Sequence, residues 1–117
     1  MTENSISELT QKIKSMGPWH HDIHLFDDFT TGKVFSPDGK LDRSDNDGVS
    51  LISPRGRYLR QLDEIYPEGM AGKSFLDCAC NGGGYCFWTR ERGLERGVGF
   101  DVRQHWIQQA KLVQQFR

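Results

Sequence analysis

Two acids and a run of small residues carry the chemistry legible in this sequence. Asp77 follows the apolar run Phe75-Leu76, and Asp101 follows Gly97-Val98-Gly99-Phe100. Between the acids stand Cys78-Ala79-Cys80-Asn81-Gly82-Gly83-Gly84-Tyr85. An acid at the end of a strand, a small-residue turn and a following helix form a strand–turn–helix–strand nucleotide-binding half. Glycines let the backbone approach a ligand and take positive φ. The helix after the turn aims its first amides into the same space. An acid ending the second strand stands where a ribose diol would lie, and its two oxygens suit two hydroxyl donors.

The stretch resembles the cofactor-binding start of class I S-adenosylmethionine (SAM) dependent methyltransferases. Those begin with an apolar strand and a pattern like Leu-Asp-x-Gly-x-Gly-x-Gly, matched here by Leu76, Asp77, Ala79, Asn81 and Gly83. Asn81 tolerates left-handed backbone and Ala79 is small, so both departures from glycine are mild. The Asn-Gly-Gly-Gly-Tyr variant is similar to methyltransferases related to the carboxymethyl group of tRNA wobble uridine. The resemblance implies a Rossmann-like α/β fold, of which these residues are the N-terminal part. It implies that SAM is held by Asp77, Ala79, Cys80, Asn81, Gly82, Gly83 and Asp101. Asp77 would organise the loop and meet the methionine ammonium through water, and Asp101 would hold the ribose. A Trp-x-His element precedes the core domain in that branch, and Trp19 and His21 match its spacing. His21 then becomes the candidate proton-transfer residue, with Trp19 and Tyr85 as walls of a substrate pocket.

Other ligands fit less well. A dinucleotide site wants Gly-x-Gly-x-x-Gly after the first strand, and three consecutive glycines lack that spacing. Gly72-Lys73-Ser74 precedes the strand, the wrong side for cradling phosphate. His20, His21 and His24 invite a metal, but three or four ligands must converge, and no later pair completes the set. No metal is therefore expected. Asp45-Asn46-Asp47-Gly48 fails as a calcium loop, because Arg43 and Pro54 stand where it needs ligands. Cys78, Cys80 and Cys86 are odd in number and read as small buried hydrophobes rather than a disulfide framework.

The elements that position these residues follow from periodicity. A helix is expected over 5–16, where Ile6, Leu9, Ile13 and Met16 share a face and Ser5 and Glu8 have capping-box spacing. Val34-Phe35 reads as a small strand and Pro37-Asp38-Gly39 as a turn. Ser53-Pro54 opens a helix with Tyr58, Leu59, Leu62 and Ile65 on its apolar side. Helices are expected over 85–91 and 104–117, the latter striped by Trp106 or Ile107, Ala110, Val113 and Phe116. Residues 1–70 form an extension, and residues 71–117 form the first part of the SAM-binding domain.

The chain has 117 residues, a net charge of -1, and 36% hydrophobic and 26% charged residues. That charge makes no broad electrostatic case for nucleic acid. No apolar run spans a bilayer and no basic-then-apolar leader opens the sequence, so cytosol is the expected place and no membrane partner is expected. The expected function is methyl transfer from SAM to a small metabolite, a sugar or a natural-product intermediate. The alternatives are a modified tRNA base as acceptor, or a non-catalytic SAM-fold partner. A parallel strand pair with open edges needs more sheet, from further C-terminal sequence or from a partner.

Overall fold

The computed structural model describes residues 1–35 and 54–117. The turn expected at 37–39, the acidic loop at 42–48 and the cap Ser53 lie outside the described residues. The described chain is α/β, with five helices and two separate two-stranded sheets.

Helix α1 spans Glu3–Ser15. Its cap is Thr2 rather than Ser5. Thr2 Oγ1 accepts the Ser5 amide at 3.2 Å, and Ser5 Oγ donates to the Thr2 carbonyl at 2.8 Å. The reciprocal cap therefore starts three residues earlier than Ser5-x-x-Glu8 implied. Leu9 and Ile13 are its buried residues. The turn Gly17-Pro18, a cis peptide, leads into an arm of irregular backbone up to β1, His24–Phe26. β1 pairs antiparallel with β2, Phe29–Thr30. Helix α2, Thr31–Phe35, occupies the place where Val34-Phe35 suggested a strand. Two apolar residues cannot separate strand from helix by periodicity. Here Thr31 decides it: its hydroxyl, fully buried, donates to the His21 carbonyl at 3.0 Å and accepts the Ile23 amide at 2.9 Å, so the chain turns.

Helix α3, Pro54–Ile65, begins on its proline, whose fixed φ suits a first helical turn. Strand β3, Ser74–Cys78, is followed by helix α4, Gly84–Arg90, strand β4, Arg96–Phe100, and helix α5, Gln104–Gln114. β3 and β4 are parallel, with Leu76 opposite Val98 and Asp77 opposite Gly99. The alternation of β3 puts Phe75 and Asp77 on the half-buried side and Leu76 and Cys78 on the exposed side.

Two cores hold these elements. The first joins Leu9, Ile13, Trp19, Ile23 and Leu25 to Leu112 and Val113 of α5. The second joins Leu59, Leu62 and Met70 to Trp88 and Leu94. Both cores cross the point between residues 70 and 71, so the extension and the strand–helix–strand unit share their packing. The far face of the parallel pair has no such cover among the described residues. Leu76 is 62% exposed, Val98 48% and Phe100 51%. No helix among the described residues is long and apolar enough to cross a membrane.

Candidate functional site

The C-terminal ends of β3 and β4 open onto one loop, residues 79–83. Ala79, Asn81 and Gly83 all have left-handed backbone, with φ of 59°, 55° and 85°. These are the positions that match glycine in the Leu-Asp-x-Gly-x-Gly-x-Gly pattern. Left-handed backbone is costly for a residue with a Cβ, less so for Asn, and Gly escapes that cost. Asn81 eases its own strain locally, since its side-chain oxygen accepts the Gly82 amide at 2.6 Å.

Asp101 holds this loop. One carboxylate oxygen accepts the Asn81 amide at 3.1 Å, and the other accepts the Arg103 amide at 2.9 Å. Its side chain is only 1% exposed. The Arg103 amide, then that of Asn81, holds the carboxyl below the usual range against the opposing effect of desolvation. Asp77 is the reverse. Its Oδ2 is buried with no hydrogen-bond partner. Burial, then the charge of Asp101, raises its carboxyl above the usual range. The loop-organising part expected of Asp77 thus falls to Asp101, and Asp77 keeps an acceptor oxygen without a partner.

The arm lies across the loop from the other side. His21 Nδ1 accepts the Gly84 amide at 3.0 Å, the first residue of α4. A Cβ on Gly84 would sit 2.6 Å from that nitrogen, so glycine is needed for the approach. The His21 ring also meets Tyr85 edge-on at 5.5 Å and Trp88 at 5.3 Å. His20 Nδ1 lies 3.5 Å from the Asn81 side-chain nitrogen, and its ring lies 4.7 Å from that of Trp106. His24 Nε2 is 2.6 Å from the Asp27 carbonyl, so the histidines are used separately. Among the described residues, no three His, Cys, Asp or Glu side chains are placed to hold a metal ion.

Trp19 is 1% exposed and sits in the first core, where its indole donates to the Ile13 carbonyl at 2.8 Å. It fixes the arm from within the core. Tyr85 is half-buried between His21 and Tyr58. Cys80 is buried behind the loop, and burial raises its thiol pKa. Cys86 is pushed up to about 11, by burial first and then by Asp77 and Cys80. A thiol held that high is not a nucleophile at neutral pH. Cys78 is exposed on the opposite face of β3.

Gln109 belongs with these residues and carries no sequence signal beyond its place in a helical stripe. It is fully buried on α5, and its amide nitrogen donates to the Met16 and Pro18 carbonyls at 2.7 Å each. Its oxygen has no partner and lies 3.1 Å from where a Gly82 Cβ would be. It ties the start of the arm to the back of the loop.

No family model matches the chain, and comparison with curated proteins and solved structures likewise gives no match.

Proposed function

We propose that the chain is the SAM-binding part of a class I SAM-dependent methyltransferase with a Rossmann-like fold, acting on a small metabolite, sugar or natural-product intermediate. The observation that carries this reading is the coincidence of the left-handed residues Ala79, Asn81 and Gly83 with the glycine positions of the SAM-binding pattern. Such a loop passes close to a ligand at the C-terminal ends of parallel strands, where open α/β sheets bind their ligands.

On this reading the Asp77 oxygen without a partner faces the methionine ammonium, directly or through water. Asp101 reaches the ribose only by loosening its hold on the Asn81 and Arg103 amides, because its carboxylate is covered in this structure. His21 has a double role, anchoring α4 through Gly84 and standing at the mouth of the substrate site beside Tyr85. Methyl transfer asks little acid–base chemistry of the protein, since the sulfonium is already a good leaving group. The demands are alignment and exclusion of water. A modified tRNA base as acceptor, and a non-catalytic role, are further readings of the same loop.

A thermal shift series tests the ligand class. SAM and S-adenosylhomocysteine should raise the midpoint in proportion to the logarithm of their concentration, and NAD should not. A shift with NAD alone would replace SAM by a dinucleotide.

A further inference from the structure

Behind the loop, residues of α4, β4 and α5 line a half-open cavity of about 390 Å³. That volume lies within the range of small-molecule sites, roughly 300–1,000 Å³. Its lining takes Cys80 and Gly83 from the loop but none of Asp77, Asn81 or Asp101, so it adjoins the loop without reaching the two acids. Phe87, Leu94, Ile107 and Ala110 supply apolar walls, and on the strand side Leu94 packs over Gly97 and Cys80 and Cys86 over Gly99.

The charges at its edge are all of one sign. Arg90, Lys111 and Arg117 line it, and no aspartate or glutamate does. Arg117 is committed elsewhere, to Glu91 at 3.3 Å and to His24 at 3.1 Å. Arg90 and Lys111 are exposed and have no carboxylate partner among the described residues. An apolar interior below unpaired cations is complementary to a molecule with an apolar body and one anionic end. A guanidinium matches a planar carboxylate through two parallel hydrogen bonds.

We propose that this cavity is a second ligand site, taking a medium-chain aliphatic carboxylate. The chain lies between α4 and α5, and the carboxylate meets Arg90 and Lys111. The inference rests on the cavity and not on the reading of the loop as a SAM site.

The probe is decanoate, titrated calorimetrically into the 117-residue chain below its micelle concentration, with decanol and decylamine as controls. The expected result is saturable one-to-one binding of decanoate, with decanol at least tenfold weaker and decylamine silent. Arg90→Gln combined with Lys111→Gln should lose about tenfold, roughly 1.4 kcal/mol. Arg96→Gln, an exposed cation outside the lining, should leave binding unchanged. Absence of decanoate binding to the wild type overturns the proposal. Equal binding of the three probes also overturns it, since adsorption to exposed apolar surface would then suffice. These surface substitutions leave the cores untouched, and circular dichroism of each variant confirms its fold.

Discussion

His21 Nδ1 accepts the amide of Gly84, 3.0 Å away and 63 residues along the chain. This bond fastens the N-terminal arm to the first residue of α4 and sets how the arm crosses the loop. Gly84 permits it by lacking a Cβ, which would fall 2.6–2.9 Å from the imidazole and Cβ of His21.

Gly84→Ala should therefore destabilise the chain by about 1–3 kcal/mol, the usual cost of forced overpacking. In a His21→Ala background the same substitution should cost clearly less, because the two nearest atoms are gone. Chemical denaturation of the four proteins of that cycle measures the coupling. Additive losses would show that the two residues do not interact.

Trp19 should behave as a core residue. Trp19→Ala should cost about 3–5 kcal/mol, as for other buried aromatics. Trp19→Phe retains most of the apolar volume but leaves the Ile13 carbonyl without its indole donor, so its loss should be smaller. Urea unfolding of both variants checks the order.

The two acids should give opposite pH dependences. Asp101 has a lowered carboxyl pKa in the fold, so its stabilisation is present above the unfolded-state pKa and fades as pH falls through the folded one. Asp101→Asn should destabilise at neutral pH, with the deficit shrinking in acid. Asp77 has a raised pKa, so its ionisation opposes folding once pH exceeds the unfolded-state value. Asp77→Asn should raise the thermal midpoint at neutral pH, and the gain should vanish well below the ordinary carboxylate range. Thermal scans from acid to neutral pH read both signs.

The bare face of the parallel pair carries Leu76, Val98 and Phe100. Contiguous exposed apolar surface favours association. The chain should self-associate as its concentration rises, and Leu76→Lys with Phe100→Lys should suppress this while changing stability by only about 0.5 kcal/mol per site. Sedimentation velocity over a concentration series distinguishes the outcomes. A wild type that stays monomeric throughout would show that this face is tolerated in water.

Some of this architecture is legible in the sequence because single residues dictate it. Pro54 starts α3, and the apolar runs around Leu76 and Val98 form the parallel pair. Asn81 takes the left-handed backbone its type tolerates. Other features depend on contacts between distant residues. Thr2 and Ser5 are equally good caps by type, and only the hydrogen bonds separate them. Val34-Phe35 becomes helical where buried Thr31 turns the chain. Gln109 looks like a surface residue until the Met16 and Pro18 carbonyls reach it. That Asp101 and not Asp77 holds the loop turns on which way each carboxylate points, and residue type does not encode that.

Calorimetric titration of SAM into folded wild type, Asp101→Asn and Asp101→Ala tests the central claim most directly. The account predicts saturable binding to the wild type, weakened roughly tenfold or more in the Ala variant through loss of the ribose acceptor and of the loop anchor. The Asn variant should lie between, since it keeps one acceptor oxygen but loses the charge. No binding to the wild type, or equal affinity in all three proteins, would contradict the assignment of this loop to SAM.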